Sequence, residues 1–356
     1  MGDAKMVEEI IDLRSDTVTL PTDEMLDAIR HAKLGDDVFK EDPTVKKLEE
    51  MAAERMGKEA SLLVTSGTQA NLVSMMSNTK RGDGVILEAE AHVFYYEVGG
   101  LCAIGGLVPY TIKGNFGVLD PKDVEAAIRP KDIHFPETTL VEIENTHNRA
   151  GGTITTPEQI KSISEVARSH GLKLYMDGAR IFNASVALKV DVKNFTKYVD
   201  NMMFCLSKGL SCPIGSIVVG NQDFVDRARK TRKVLGGGMR QAGIVAAPGI
   251  VALEKMISRL EDDHRNARLL AEGLAKIEGL SVNMKAVQTN MVKFDVSSLG
   301  ISSDKFVSAL KVQGVLSLSV SDKGIRMVTH RGIEKEDIHK ALGIITETAQ
   351  KIKGSS

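Results

Sequence analysis

The sequence lacks a surplus of charge of either sign. Its 46 Lys and Arg residues almost balance its 47 Asp and Glu residues, which gives a formal net charge of −1. Binding to nucleic acid or to an anionic membrane depends on clustered positive charge, so this balance predicts neither as a partner. Hydrophobic residues make up 42% of the chain and charged residues 26%, which is typical of a folded globular protein rather than a disordered one.

A long apolar run is also missing. The longest apolar stretch, residues 244–253, contains Pro248 and Gly249 and is too short to span a bilayer. Residues 1–9 include several acidic side chains, and no long apolar run follows them. We therefore predict no secretory signal peptide and no membrane-spanning helix.

Cysteine is rare, and two familiar nucleotide-binding motifs are absent. The cysteines are odd in number and lack the spacing of a metal site, which predicts reduced thiols in a cytoplasmic protein and no bound metal. Neither a GxxxxGK(S/T) phosphate loop nor a GxGxxG motif occurs, so nucleoside triphosphate and Rossmann dinucleotide binding lose their main support. The cysteines are Cys102, Cys205 and Cys212.

Short β-rich segments alternate with helical segments over the first 240 or so residues. Helix ends are readable: Asp42 and Pro43 predict a capped start, and Thr156 with Gln159 predicts a capping box. Apolar strands that alternate with helices indicate an α/β fold, in which a mostly parallel sheet has helices on both faces. The predicted strands are 61–65, 84–88, 108–112, 139–144, 172–177, 202–207 and 215–220.

The pattern changes after about residue 240. One long helix, bent near Pro248 and Gly249, is predicted from 240 to 279, followed by strands and helices of an α+β region. We predict a large domain over residues 1–250 and a smaller C-terminal α+β domain over residues 251–356, across which the first dozen residues pack. The later strands are predicted at 280–284, 291–296, 315–320 and 324–329, and the helices at 303–313 and 334–353.

Ligands of open parallel sheets bind beyond the carboxyl ends of the strands, where this chain places several polar residues. Ser66, Gly67 and Thr68 follow a predicted strand and open a helix, which suits a phosphate group, although an ordinary capped turn would look the same. Asp177 and Arg180 follow another strand, and they could hold a ligand or form a structural ion pair.

Lys208 follows a buried strand, between a serine and a glycine. Desolvation makes a lysine nucleophilic, as covalent binding of an aldehyde requires. The alternative is a lysine whose long stem carries its charge to water. A phosphate cradle, a carboxylate and a lysine, in that order, match the needs of pyridoxal phosphate (PLP): an anion anchor, a partner for the ring nitrogen and an amine for the aldehyde.

Several motifs in this order resemble the low-specificity L-threonine aldolase family, within the aspartate-aminotransferase-like (fold-type I) class of PLP enzymes. The resemblance extends over residues 11 to 330, nearly the whole chain. The motifs are IDLRSDTVT at 11–19, GDDV at 35–38, DPTV at 42–45, SGTQAN at 66–71, IHF at 133–135, ENTHN at 144–148, DGARIFN at 177–183, CLSKGL at 205–210, GGGMRQ at 236–241 and IRMVTH at 325–330.

The resemblance implies a role for each matching residue. Lys208 would bind PLP covalently, Asp177 would pair with its ring nitrogen, and Arg180 would lie near the ring hydroxyl and the substrate carboxylate. The remaining implied roles are phosphate binding by Ser66, Gly67 and Thr68, carboxylate binding by Ser15 and Arg326, ring stacking by His92 with His134 close by, and entry of Lys233 and Arg240 from a neighbouring subunit. Without the resemblance, His92 and His134 would be interpreted as structural histidines.

The predicted reaction is retro-aldol cleavage of L-threonine or L-allo-threonine to glycine and acetaldehyde, in a homo-oligomer such as a dimer of dimers. His92, His134 or a water could accept the proton of the β-hydroxyl group. Alternatives are another fold-type I lyase (β-eliminating or serine hydroxymethyltransferase-like) and a catalytically silent cofactor-binding oligomer. One departure is Phe39-Lys40, where many family members carry Tyr-Gly.

Overall fold

A computed structural model describes residues 10–354 as two compact units. The larger unit comprises residues 19–259, and the smaller comprises residues 10–18 together with 260–354. The domain boundary predicted after residue 250 stays a prediction, and the secretory-signal prediction concerns residues 1–9, which lie outside the described residues.

Strands are numbered in chain order over the described residues. They are β1 (Ile11–Asp12), β2 (Ala60–Val64), β3 (Gly84–Glu88), β4 (Val108–Ile112), β5 (Thr138–Glu144), β6 (Lys173–Asp177), β7 (Asn201–Cys205), β8 (Ser216–Gly220), β9 (Ser281–Val282), β10 (Met291–Asp295), β11 (Val315–Leu316), β12 (Leu318–Ser319) and β13 (Gly324–Val328).

The α-helices are numbered in the same way. They are α1 (Asp23–Arg30), α2 (Pro43–Met56), α3 (Gly67–Asn78), α4 (His92–Tyr95), α5 (Gly100–Ala103), α6 (Pro121–Ala127), α7 (Pro157–Ser169), α8 (Ile181–Leu188), α9 (Lys193–Thr196), α10 (Gln222–Val234), α11 (Gly243–Val251), α12 (Leu260–Leu274), α13 (Ser303–Val312) and α14 (Lys335–Gly354).

The larger unit is built on one sheet with the strand order β2-β8-β7-β6-β5-β3-β4. Neighbouring strands from β7 to β4 are parallel, and β8 is antiparallel to both β7 and β2. The predicted mostly parallel sheet is confirmed. Every strand except β8 therefore ends at the same edge, which we call the carboxyl edge.

Both faces of this sheet are buried. Leu62 and Val64 of β2 lie in an apolar cluster with Val73 of α3 and Ala228 of α10. Leu63, between them, points to the opposite face and is 1% exposed. Complete burial of each such side chain contributes roughly 1.5–3 kcal/mol, which explains why the strands are near-continuous apolar runs.

Local sequence determines the helix starts as predicted. Asp42 caps α2 by accepting hydrogen bonds from the backbone N–H groups of Thr44 and Val45. Thr156 and Gln159 form the predicted capping box at α7. These caps satisfy N–H groups that the helix itself leaves without partners.

The smaller unit has a four-stranded antiparallel sheet of order β12-β13-β10-β9, with α12, α13 and α14 contributing to its apolar core. The N-terminal strand β1 pairs in parallel with β11, so residues 11 and 12 belong to this unit. The single strand predicted over 315–320 is wrong, because its first half pairs with β1 and its second half, β12, with β13.

The prediction of one helix from 240 to 279 is also wrong. α11 contains Pro248 and continues into a π-helical segment, Ala252–Met256, and a turn at 257–259 separates this segment from α12. Periodicity does not reveal this interruption, because a π-helical turn changes the hydrogen-bond spacing without requiring a special residue.

Two loops of the larger unit are joined through Asp42. Besides capping α2, its carboxylate accepts hydrogen bonds from the N–H groups of Gly35 and Gly243 at 3.2 Å and 2.8 Å. Asp37 N–H donates to the carbonyl of Arg240 at 2.9 Å. The GDDV and DPTV motifs thus position the glycine-rich segment that precedes α11.

We predict that Asp42→Ala lowers the free energy of unfolding by about 3–5 kcal/mol, since it removes a helix cap and leaves two further N–H groups without their acceptor. The control is Asp120→Ala, because exposed Asp120 caps only α6 through Lys122. That change should cost about 1 kcal/mol. Urea denaturation measures the loss of unfolding free energy in each variant. Equal losses in the two variants would contradict the role of Asp42 in joining the two loops.

The Phe39-Lys40 departure has a structural consequence. Lys40 has φ of 58°, in the left-handed region, while its N–H donates to the carbonyl of Asp37. A residue with a β-carbon is strained there, whereas glycine is not.

Lys40→Gly is therefore expected to raise the free energy of unfolding by about 0.5–1 kcal/mol, measured by urea denaturation. As a matched control, Lys47→Gly on the exposed side of α2 should lower it by about 1 kcal/mol. Destabilisation by both substitutions to the same extent would rule out relief of strain at residue 40.

Candidate active site

The segments that follow β2, β3, β5, β6 and β7 all begin at the carboxyl edge. They carry, in chain order, the start of α3, His92, His147, Asp177 with Arg180, and Lys208. The sheet thus brings to one edge residues that lie far apart in the sequence.

The segment after β2 carries the residues predicted to form a phosphate cradle. Ser66 caps α3 by accepting from Gln69 N–H at 3.1 Å, and Gly67 is the first helical residue. A β-carbon at position 67 would lie 3.0 Å from Cys205 Sγ and 3.3 Å from Met203 Cε, so glycine allows this close packing. The first N–H groups of a helix lack intrahelical partners, which makes Ser66, Gly67 and Thr68 suitable for binding an anion.

Asp177, at the end of β6, is 1% exposed. Its carboxylate accepts one hydrogen bond from Ala179 N–H at 3.0 Å and another from Asn71 Nδ2 at 2.9 Å. Tyr175 Oη donates to Asn71 Oδ1 at 2.6 Å and thereby orients the amide. Hydrogen bonds to the charged form favour an ionised carboxylate, as a partner for a protonated heteroaromatic nitrogen must be.

His92 begins α4 and is linked to the same amide. Its Nδ1 lies 3.0 Å from Glu97 Oε1, which also accepts from Asn71 Nδ2 at 2.8 Å. Burial lowers the pKa of His92, but the hydrogen bond to Glu97 and the charges of Asp177 and Glu144 outweigh burial and raise it above its ordinary value. His92 therefore keeps its ring proton to higher pH than a free histidine.

Lys208 follows β7 in a bend and is half-buried. Its carbonyl accepts hydrogen bonds from Thr19 Oγ1 at 3.0 Å and Ser211 N–H at 2.8 Å, which hold the backbone while leaving the amine out of this network. The positive charge of Lys208 acts to lower the pKa of His92, so the two side chains share one electrostatic environment.

Arg180 is 8% exposed and lies immediately before α8, at the carboxyl edge as predicted. The absence of a metal site remains a prediction. His92, Glu97 and Asp177 offer atoms within 4.8 Å of one another, but hydrogen bonds through Asn71 already link the two carboxylates.

The sequence did not identify the carboxylates that surround this site. His147 lies 3.0 Å from Glu88 and 3.7 Å from Glu144, and these charges raise the pKa of His147 although burial lowers it. Asn71, Glu97 and Glu142 were also missed as site residues. Strand alternation could have indicated Glu142 and Glu144, since both fall on the face that carries Asp177.

Within one chain His134 does not lie with this group, and its predicted place near the cofactor stays a prediction. It lies between α6 and β5, before the strand begins, which is the opposite edge of the parallel sheet. Its side chain is 76% exposed and is bonded to Asp132. Neighbouring residues Ile133 and Phe135 line a surface groove of about 770 Å³ at that edge.

Lys233 and Arg240 are both exposed. Lys233 lies in the last turn of α10, and Arg240 pairs with Asp36 at 3.0 Å. The segment between them approaches the start of α3, since a β-carbon on Gly237 would lie 2.3 Å from the Gln69 side chain. Within one chain the two cations thus point to solvent, and their backbone is held beside the cradle.

Ser15 and Arg326 belong to the smaller unit. Arg326, on β13, donates through Nη2 to the carbonyl of Arg14 at 3.2 Å, next to Ser15. Ser15 Oγ accepts from Thr17 Oγ1 at 2.8 Å. The predicted carboxylate-binding pair therefore lies on neighbouring segments of one unit.

Among the described residues, no helix combines the length and apolar character needed to cross a membrane.

This chain is similar to known proteins over nearly its whole length. The family model described as Beta-eliminating lyase matches residues 12–297. The chain is 45% identical to low-specificity L-threonine aldolase 1 of Arabidopsis thaliana, over 95% of this chain and 96% of that protein. It is 42% identical to the low specificity L-threonine aldolase of Escherichia coli, over 92% of this chain and 96% of that protein.

The solved structure of Leishmania major threonine aldolase has the same fold, with a TM-score of 0.82 and 18% sequence identity. The match covers 95% of this chain and 99% of that one. This chain therefore belongs to the Beta-eliminating lyase family, and over nearly its whole sequence it is similar to low-specificity L-threonine aldolases.

Proposed function

We propose that this protein is a PLP-dependent carbon–carbon lyase that cleaves L-threonine and L-allo-threonine to glycine and acetaldehyde. The observation that carries the proposal is the meeting of the α3 N-terminus, the Asp177 carboxylate and Lys208 at one sheet edge. The near full-length similarity to threonine aldolases supports it. The relatives do not favour the alternatives, which are another fold-type I lyase (β-eliminating or serine hydroxymethyltransferase-like) and a catalytically silent cofactor-binding oligomer.

The residues present fit the cofactor. The cradle at Ser66, Gly67 and Thr68 suits a phosphate dianion, and the doubly hydrogen-bonded Asp177 suits a protonated ring nitrogen. Lys208 would provide the amine for covalent attachment. When bound, PLP supplies an electron sink for the pair released by Cα–Cβ cleavage.

The chain's own groups then orient the substrate and move one proton. Arg326 and Ser15 would bind the α-carboxylate and fix the direction of the Cα–Cβ bond. Arg180 would lie near the ring hydroxyl and the same carboxylate. Because its pKa is raised, His92 would accept the β-hydroxyl proton only after losing its own, and His134 or a water would be the other acceptor. His92 would also stack on the ring.

We further propose a cytoplasmic homo-oligomer, a dimer of dimers. Lys233 and Arg240 are exposed in one chain, where Arg240 pairs with Asp36, and both would reach the phosphate site of a neighbouring subunit. The free cysteines Cys102, Cys205 and Cys212 accord with a reducing compartment.

The test of the activity is release of acetaldehyde from L-threonine and L-allo-threonine, with the D-enantiomers for comparison. Lys208→Ala should abolish release and covalent PLP attachment, because no other amine is placed in the bend after β7. Lys230→Ala, an exposed lysine of α10, should leave both unchanged. Borohydride trapping of PLP on a different lysine would refute the assignment.

Arg326→Lys should reduce kcat/KM for L-allo-threonine by a factor that corresponds to about 2–5 kcal/mol, since lysine cannot form the bidentate contact with a carboxylate. The visible cofactor spectrum should be retained. The control is Arg268→Lys, which alters an exposed pair with Glu272 on α12. If kcat/KM for Arg326→Lys stays within about threefold of the unmodified protein, another residue binds the carboxylate.

A further inference from the structure

Glu142 lies near the end of β5, and its side chain is fully enclosed. Its exposure is 0%, and neither carboxyl oxygen has a hydrogen-bond partner among the described residues. An ionised carboxylate placed there loses its hydration and gains no compensating bond, which is far more costly than burying the neutral acid. The placement favours the protonated form.

Glu142 lies on the strand next to that of Asp177, the residue that would pair with the ring nitrogen of the cofactor. In the strand register Glu142 pairs with Tyr175, and Glu144 pairs with Asp177. Because paired residues of parallel strands and residues two apart share a face, all four side chains point to the same side of the sheet.

The charges that act on Glu142 are negative. They come from carboxylates on β3, β5, β6 and the segment after α4, and the phenol of Tyr175 on β6 also faces it. The two histidines of the site bond to other carboxylates, His92 to Glu97 and His147 to Glu88 and Glu144. The carboxylates are Glu88, Glu97, Glu144 and Asp177.

Two buried carboxyl groups that repel each other retain one proton between them more readily than none. Hydrogen bonds decide which group keeps it. Asp177 accepts bonds from Ala179 N–H and Asn71 Nδ2, which stabilise its charge, whereas Glu142 accepts none. The proton therefore belongs on Glu142.

We propose that Glu142 is a positioning residue that stays a neutral carboxylic acid. Because Glu142 holds the proton, Asp177 stays ionised and can pair with the cofactor's ring nitrogen. The role toward the ring nitrogen rests on the proposed function, whereas the protonation of Glu142 does not. Burial, followed by the charge of Asp177, raises the pKa of Glu142 well above its ordinary value, in accord with the geometry.

Infrared spectroscopy of the purified protein at neutral pH tests the protonation directly. A protonated carboxyl group has a C=O stretch above the amide I band. Glu142→Gln, a neutral isostere, should remove one such band, and Glu137→Gln, which changes an exposed residue just before β5, should not. If Glu142→Gln instead removes the infrared bands of an ionised carboxylate, the proposal is overturned.

The pH dependence of unfolding gives a second readout. Unfolded Glu142 ionises around the ordinary glutamate pKa of 4.5, whereas the folded protein keeps the proton to higher pH. Between those two pKa values the folded state binds one proton more, so stability falls as pH rises, up to tenfold in the unfolding constant per pH unit. Glu142→Gln should lack this fall in stability with rising pH, and Glu137→Gln should retain it.

If Glu142→Gln does not fold, the experiment uses Glu142→Leu. A neutral apolar side chain of similar volume should also remove the fall in stability with rising pH. Identical pH dependence in the Glu142 variants and the unmodified protein would overturn the proposal.

The link to Asp177 is tested on the loaded protein. Glu142→Gln should keep the visible cofactor band, and its PLP dissociation constant at neutral pH should stay within about threefold, because Asp177 remains ionised. A tenfold weaker affinity would show that Glu142 supplies negative charge and would overturn its role as the neutral partner. If the unmodified protein shows the infrared band but binds no PLP, the proposed function fails and the protonation of Glu142 stands.

Discussion

A buried carboxylate, Asp177, imposes the main electrostatic constraint on the larger unit. An isolated carboxylate at 1% exposure would become protonated, so its charge requires donors that are themselves held in place. Ala179 N–H is supplied by the turn after β6, and Asn71 Nδ2 is supplied by α3 and oriented by Tyr175. Strand β6, the turn after it and helix α3 thus all contribute to stabilising the charge of Asp177.

The same arrangement links the carboxylate to the rest of the site. Asn71 donates to Glu97 as well as to Asp177, and Glu97 bonds to His92. The helix that carries Asn71 also presents its N-terminus at the carboxyl edge, after the Ser66 cap. One helix therefore carries both the candidate anion site at its N-terminus and the amide that bonds to Asp177, and its position depends on the apolar packing of Val73 against the sheet.

Features of short sequence range were predictable because their causes are local. A capping oxygen acts on N–H groups two or three residues away, which is why the starts of α2 and α7 could be predicted from Asp42 and Thr156. Buried strands form near-continuous apolar runs, so most strands of the parallel sheet were recognised. The division of 315–320 was not, since it depends on which distant strand each half pairs with.

The sequence by itself indicated the family, through motifs that resemble those of a known one. It also determined the α/β class and the residues that end the parallel strands, because apolar runs followed by polar residues are a local pattern. Only the tertiary structure decided which of these residues meet. It placed His134 at the opposite edge and joined Asn71 to Asp177. It also enclosed Glu142 without a hydrogen-bond partner among the described residues. The reason is that hydrogen bonding and burial in a folded chain depend on neighbours brought together by strand order, and a residue's own sequence context does not specify them.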